Sequence, residues 1–220
     1  MVQTEQEQTS RLRLLEAAIL CFAEKGFDGT GIREIARRAK ANSALVQYHF
    51  GGKTGLYKEA LRHIFASRPE MVASPPRDAA EPDARARAIT ALGDMIASLL
   101  NELMACSEGS ELDLASLLLV TRELQSPRED VAPLILTHLA PYTDHMEGCL
   151  RILRPDLDHL ARLDNINSIF GQIVHLHSNL KMYRLIRNDP DYPQDLGAVA
   201  RHITEFSLRG IGIPEAFPGA

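Results

Sequence analysis

Side chains suited to hydrogen bonding and close contact with a ligand are concentrated in one short segment, residues 43–49. Close together lie Ser43, Ala44, Gln47, Tyr48 and His49, at spacings that place them on the outer side or the edges of a single helix. Gln can pair bidentately with adenine, a small Ala can meet a thymine methyl group, and Ser, Tyr and His can reach phosphates. This combination predicts contact with double-stranded DNA, and it identifies no particular base.

Cationic side chains surround that segment. Residues 30–58 contain six Lys or Arg and one acidic residue, which gives a net charge of +5. Thr30 begins a predicted helix whose free amides suit a phosphate, and Arg33 and Lys53 add cationic donors. We therefore predict Thr30, Arg33 and Lys53 as DNA contacts beside the five residues above. Charge alone leaves a solvated basic face open as the alternative.

Two short helices joined by a tight turn must hold these side chains. Apolar residues recur at helical spacing over residues 32–39, and Asn42 can cap a following helix that ends at Phe50. A longer helix precedes them and stops at Gly26. These three helices form a helix-turn-helix domain, and the next predicted helix, 53–67, connects it to the rest of the chain.

The rest of the chain is also predicted to be helical. Residues 68–83 hold four prolines and connect an N-terminal domain, 1–67, to a second domain, 84–220. No segment shows the period-two alternation of a strand, so the expected fold class is all-α, with a helical bundle after the first domain. The bundle helices are expected at about 84–107, 111–125, 129–153, 156–163, 165–187 and 195–209.

Composition and charge exclude several classes of protein. Of the 220 residues 45% are hydrophobic, too many for a disordered chain, and three cysteines without paired spacing predict reduced thiols. Residues 1–65 carry 10 Lys and Arg against 7 Asp and Glu, whereas residues 66–220 carry 14 against 22. The acidic second part argues against a nonspecific architectural DNA-binding protein. The polar start and the lack of a long apolar run predict a cytoplasmic protein that does not enter a membrane.

The spacing of the histidines does not favour a metal site, and the sequence lacks the common catalytic motifs of enzymes. His175 and His177 point apart on a helix, and His138 and His145 lie about 10 Å apart along one. No nucleophile elbow, P-loop or HExxH motif occurs. We therefore predict no catalytic residue, no metal, no cofactor and no enzymatic activity. The alternative is a helical small-molecule-binding or enzymatic protein whose head is vestigial or binds protein.

Some polar residues of the second part fall on predicted inner faces of the bundle. We predict that they line a ligand pocket, although each also suits a satisfied core or surface position. These residues are Arg122, His138, Tyr142, His145, His175 and Asn179.

The first quarter of the chain resembles the N-terminal DNA-binding domain of the tetracycline-repressor (TetR) family. The resemblance rests on residues 11–58, RLRLLEAAILCFAEKGFDGTGIREIARRAKANSALVQYHFGGKTGLYK. It implies phosphate contacts near Thr30, around Gln47 to His49, and at Lys53.

Two positions depart from the family pattern. Lys40 stands where the family usually has Gly, and a positive φ there costs up to ~1–2 kcal/mol relative to Gly. Gln47 stands where the family usually has a phosphate-contacting tyrosine, so that hydroxyl is absent or is supplied by Tyr48 instead. The departures bear on the operator sequence and on the individual contacts.

The second part is similar to C-terminal domains of the CerR type, on RELQSPREDVAPLILTHLAPYTDHMEGCLRIL and HITEFSLRGIG. The resemblance implies a homodimer formed by the last two long helices and a small-molecule effector held by the others. The expected function is a dimeric repressor that leaves a palindromic DNA operator when the effector binds. The candidate interface residues, for which ordinary core is the alternative, are Ile166, Ile169, Phe170, Ile173, Leu180, Val199, Ile203 and Phe206.

Overall fold

A computed structural model describes residues 2–67 and 83–213, with side chains from residue 8 onward. The chain is α-helical over these ranges and contains no strand there, which confirms the predicted fold class. The predicted proline-rich connection lies outside the described residues except for Asp83. The helices are α1 (Val2–Gly29), α2 (Ile32–Arg38), α3 (Ala44–Phe50), α4 (Lys53–Ala66), α5 (Ala84–Glu108), α6 (Glu111–Gln125), α7 (Ala132–Leu153), α8 (His159–Ser178), α9 (Leu180–Arg187) and α10 (Leu196–Gly210).

The described chain forms two compact units, and α6 belongs to the first. The first unit joins α1–α4 to residues 105–138, and the second joins the preceding part of α5 to residues from 139 onward. Within the first unit, α1 packs against α2, α4 and α6. Residues 105–138, which the sequence assigns to the second domain, therefore pack with the helix-turn-helix.

α1 contains a break where the sequence predicts its stop. Gly26 has φ +72°, in the left-handed region, and helical hydrogen bonding resumes only as far as Gly29. Before the break, Leu15, Ile19 and Phe22 are buried in the core of the first unit. Burial of this apolar stripe supplies most of the favourable free energy that holds α1 in place.

The second unit encloses a core built from α5, α7, α8 and α10. Leu92 and Ile96 of α5, Met146 of α7 and Ile169 of α8 are among its fully enclosed side chains. By length and composition α5 is also apolar enough to cross a membrane. Core helices of soluble proteins share these properties, and one side of α5 is buried in this core.

Two helix boundaries differ from prediction. The expected break near residue 164 is wrong, because α8 runs through that position without interruption and ends at Ser178. Its start is fixed by Asp158, whose side chain accepts a hydrogen bond from the amide of Ala161 at 2.8 Å. A separate short helix, α9, then follows Asn179.

The predicted dimer face needs correction. Ile166, Ile169, Ile173 and Ile203 are buried in the core of the second unit, so the alternative of ordinary core holds for them. Phe206 differs from them and is 63% exposed. Phe170 and Val199 are partly buried against the same core.

Candidate nucleic-acid interface

One face of α3 is open to solvent. Val46 and Phe50 are buried against the first unit, whereas Ala44, Gln47 and Tyr48 are exposed, Tyr48 by 73%. Ser43, just before the helix, is exposed as well. The division between inner and outer side chains is the one that the apolar spacing predicts. A short helix with small and polar side chains on its outer face fits the major groove of B-form DNA.

The turn between α2 and α3 is held by backbone geometry. Lys40 has φ +50°, which confirms that a residue with a side chain occupies the left-handed position after α2. The amide of Ala41 donates to the carbonyl of Ala36 at 2.9 Å, the bond that closes a Schellman turn. Asn42 then caps α3, since its Oδ1 accepts from the amide of Ala44 at 2.9 Å.

α3 and α4 approach each other so closely that Gly55 has no room for a side chain. A Cβ atom at this position would lie 1.7 Å from the carbonyl oxygen of Phe50. No real Cβ tolerates such a distance, so a larger residue would have to separate the two helices. The glycine therefore fixes the position of the recognition helix α3 on α4.

Lys53 lies at the start of α4, and its ammonium group lies over the Phe27 ring. Its Nζ is 4.5 Å from the centroid of that ring and 3.5 Å from the carbonyl oxygen of Asp28. The ammonium group is therefore held at a helix N-terminus, a place that favours anions. A phosphate at this point would meet both the ammonium and the free amides of α4.

The cations of the helix-turn-helix fall into two groups. Three of them are paired with carboxylates: Lys25 pairs with Glu34, Arg38 with Glu24 and Glu111, and Lys58 with Asp130. By contrast, Arg33, Arg37 and Lys40 are exposed and form no ion pair with any of the described residues. Together with Lys53, these side chains carry positive charge that remains available to an anionic partner.

Thr30 does not present its side chain to solvent. It is 2% exposed, and its hydroxyl lies 2.7 Å from the carbonyl oxygen of Gly26 and 3.0 Å from that of Cys21. The N-cap of α2 is Gly31 rather than Thr30. The hydroxyl predicted to reach a phosphate is therefore used to satisfy carbonyls beside the break in α1.

His49 lies at the edge of the open face. Its ring meets those of Tyr48 and Phe50 edge to face, at centroid distances of 4.9 and 5.9 Å. Its Nε2 is buried and has no hydrogen-bond partner among the described residues. His49 therefore packs against its aromatic neighbours more than it projects outward.

The six residues predicted to line a pocket are divided between the two units. In the first unit, Arg122 donates to the carbonyl oxygens of Phe22 and Ala23 at 2.7 and 3.1 Å. His138 stacks on Phe65 at a centroid distance of 3.8 Å. Both side chains are thus used within this unit.

The other four lie in the second unit. His145 is buried and its Nε2 is 3.2 Å from the carbonyl oxygen of Ala91, whereas its Nδ1 has no partner in the described chain. Tyr142 is partly buried against the core. His175 and Asn179 are exposed and hydrogen-bonded to each other at 3.2 Å. The structure therefore brings only some of the six near one another.

A cleft of the second unit is lined by none of the six residues predicted for the ligand pocket. It has a volume of about 590 Å³ and lies along α8, α9, α10 and the segment before α10. Its lining includes Leu176, Tyr183, Arg187, Tyr192 and His202. The irregular segment that closes it has no periodicity, which is why no sequence pattern pointed there.

Metal ligands are not grouped in the described ranges. Within residues 2–67 and 83–213, no three His, Cys, Asp or Glu side chains lie together in a way that could hold an ion. Cys21, Cys106 and Cys149 form no disulfide with one another.

The N-terminal helices are similar in sequence to those of known transcriptional regulators. Residues 14–60 match the family model described as bacterial regulatory proteins, tetR family. The transcriptional repressor NicS of Pseudomonas putida is 34% identical over 90 residues, 41% of this chain and 42% of that protein. The probable transcriptional regulator YttP of Bacillus subtilis is 40% identical over 53 residues, 24% of this chain and 26% of its own length. The chain thus matches less than half the length of these curated relatives.

Solved structures share the fold over most of the chain. A TetR transcriptional regulator from Agrobacterium tumefaciens matches with a TM-score of 0.56 and 18% identity, over 91% of this chain and 92% of that one. The regulator FadR from Bacillus subtilis, solved in complex with stearoyl-CoA, matches with a TM-score of 0.51 and 17% identity, over 90% and 98%. At such identities the likeness concerns the fold alone, and the likeness of the second part to the CerR type stays a prediction. The helix-turn-helix segment, residues 14–60, is thus similar to the tetR family of bacterial regulatory proteins.

Proposed function

We propose that this protein regulates transcription by binding an operator as a dimer, and that it acts as a repressor. The observation that carries the proposal is the open face of α3, which presents Ala44, Gln47 and Tyr48 beside Arg33 and Arg37, two cations without an ion pair in the described chain. The names of its relatives support the direction of control, since NicS is a repressor and the Staphylococcus aureus relative IcaR is a negative regulator.

In the proposed complex α3 enters the major groove. Both arginines and Lys40 contact phosphates on either side, and Lys53 contacts a phosphate at the N-terminus of α4. Gln47 is long enough to pair with an adenine edge, and Ala44 is small enough to meet a thymine methyl group. Phosphate contacts set the affinity and its salt dependence, whereas the α3 side chains select the sequence.

The dimer follows from the size of the reading surface. One short recognition helix buries little DNA, whereas two copies about 34–36 Å apart read successive major grooves of a palindrome. We propose that the second copy of the chain covers the apolar face of α9. Met182, Leu185 and Ile186 lie there at helical spacing and are all more than half exposed. Exposed apolar side chains grouped in this way are typical of an interaction surface.

A small-molecule effector completes the proposal. The FadR structure with stearoyl-CoA supports the idea that this fold accepts such ligands, and the 590 Å³ cleft of the second unit is within the size range of small-molecule sites. The buried Nδ1 of His145 is a second candidate contact, because it is an acceptor or donor without a partner in the described chain. The effector shifts the dimer between two arrangements to the extent that it binds one more tightly.

Fluorescence anisotropy with DNA from upstream of its own gene tests the proposal. We expect tight binding to one palindromic segment, a steep loss of affinity with salt, and much weaker binding to a scrambled duplex of equal length. Binding that is equal for both duplexes would favour a nonspecific DNA-binding protein. No binding to any genomic fragment, together with ligand binding or turnover by the full chain, would favour the helical small-molecule-binding alternative.

A further inference from the structure

Two cations from distant parts of the chain lie over one aromatic ring. The central guanidinium carbon of Arg128 is 3.6 Å from the centroid of Phe27, and Nζ of Lys53 is 4.5 Å from the same centroid. Phe27 lies just beyond the break in α1, Lys53 begins α4, and Arg128 follows the end of α6. All three residues belong to the first unit.

Arg128 is held firmly in place on both its main chain and its side chain. Its amide donates to the Oε2 of Glu123 at 3.1 Å, and its guanidinium forms an ion pair with Asp130 at 3.2 Å. Glu123 is itself buried and accepts a hydrogen bond from Tyr57. These contacts hold the guanidinium in position against the Phe27 ring.

Contacts with Tyr57 and Arg128 restrict the orientation of the Phe27 ring. Tyr57 meets it edge to face at 5.1 Å, with 82° between the ring planes, and Arg128 stacks on it. Such pairs prefer a defined geometry, so the ring cannot rotate without breaking both interactions. The long side chain of Lys53 has many rotamers. Contacts with this ring and with the carbonyl oxygen of Asp28 hold its ammonium group in one position.

We infer that Arg128 is a positioning residue for DNA binding, which acts through Phe27 to hold the ammonium of Lys53 where a phosphate can meet it. The inference rests on the proposed function and names a residue outside the helix-turn-helix as part of its affinity. In this inference Arg128 itself does not contact DNA. Its effect on binding is therefore expected to vanish when Lys53 is absent.

A double-mutant cycle with Arg128→Gln and Lys53→Gln tests this directly. The probe is a duplex selected from a random pool with the unaltered protein, and binding is measured by anisotropy across a salt series. Arg128→Gln should weaken binding roughly threefold or more on its own and have little further effect in the Lys53→Gln background. Each single variant should also flatten the salt dependence, by about 0.9 for every phosphate that the protein no longer neutralises.

The control variant is Arg62→Gln. It removes the same charge from the first unit, but Arg62 is half-exposed and forms its ion pair in the described chain with Glu59 rather than with Asp130, so its loss should leave affinity and salt slope nearly unchanged. Arg128→Lys keeps the charge without the planar stacking group, so it should rescue only part of the loss. Equal effects of Arg128→Gln with and without Lys53, or an unchanged salt slope, would overturn the inference while the proposed function stands.

A measurement without DNA separates the two proposals. In NMR spectra of the full chain, the Hε protons of Lys53 should be shifted upfield by the Phe27 ring. Arg128→Gln should move them toward the position of an unstructured lysine, and Arg62→Gln should not. Unmoved resonances would overturn the inference even if the protein binds DNA. Failure of the unaltered protein to bind DNA would instead overturn the proposed function, and with it the role of Arg128 in binding.

Discussion

The phenol of Tyr57 donates a hydrogen bond to Oε1 of Glu123, and both side chains are almost completely buried. The bond joins α4, which begins beside the recognition helix, to the end of α6. Arg122, the residue before Glu123, donates to carbonyl oxygens of α1. The last turn of α6 is therefore fixed by polar contacts to two helices of the DNA-binding head.

Replacing Tyr57 with Phe should destabilise the first unit. The change keeps the ring but leaves one oxygen of a buried carboxylate without its partner, which costs about 1–3 kcal/mol. Chemical denaturation should show this loss as a lower midpoint. Tyr48→Phe is the matched control, because Tyr48 is exposed and its hydroxyl forms no hydrogen bond with the described residues. Equal midpoints for the two variants would contradict the prediction.

Alkaline pH should weaken the fold through the same residue. Burial, and then the hydrogen bond to Glu123, raise the pKa of Tyr57 above its ordinary value of 10.0. Above that pH the unfolded chain releases the proton while the folded chain keeps it, so the free energy of unfolding falls as the pH rises. Denaturation curves across this range should show a smaller fall for Tyr57→Phe than for the unaltered protein. Parallel curves would refute the assignment.

Lys40→Gly should stabilise the protein. A side chain at φ +50° costs about 1 kcal/mol, and glycine removes that strain without removing a buried contact. Thermal unfolding should register a higher midpoint. DNA affinity should fall slightly, since Lys40 is one of the exposed cations that form no ion pair with the described residues. Lys40→Ala separates the two effects: it removes the charge and keeps the strained backbone.

The pair Leu185→Glu and Ile186→Glu should convert a dimer into a monomer. Both side chains are exposed, by 75% and 72%, and carboxylates there would have to be buried against the second copy. Light scattering after gel filtration gives the mass of each species. Leu136→Glu is the control, because Leu136 is 66% exposed in the other unit. A dimer that survives the double change places the interface elsewhere.

Gln47→Ala should alter sequence preference, whereas Arg33→Ala should weaken binding to every sequence alike. The difference follows from a side chain that reads a base edge and one that meets only phosphates. Selection of duplexes from a random pool, performed with each variant, measures both properties. If Gln47→Ala lowers affinity uniformly and selects the same sequence, Gln47 contacts the backbone instead.

Much of the fold follows from local pattern. Apolar spacing predicts that Val46 and Phe50 turn inward and Gln47 outward, and the residue type at Asn42 predicts the cap. Contacts between distant segments do not show in such patterns. Periodicity reveals that α6 has a buried face without revealing that the face packs on α1, and the carboxylate of Glu111 that pairs with Arg38 lies 73 residues away.

The same limit explains the errors at the site. Thr30 has the residue type and position of a phosphate ligand, but the break at Gly26 leaves carbonyls that its hydroxyl satisfies instead. The isoleucines of α8 form an apolar stripe, and a stripe alone does not distinguish a protomer's own core from an interface. Short α9, with its exposed apolar face, was hidden within a longer predicted helix.

The contact at Gly55 couples α3 to α4. The carbonyl of Phe50 leaves no space for even one methyl group at Gly55, so we expect α3 to move together with α4. α4 is 14 residues long, about 21 Å. A tilt at its Ala66 end is therefore expected to move Gln47 as well, and with it the angle at which α3 meets DNA.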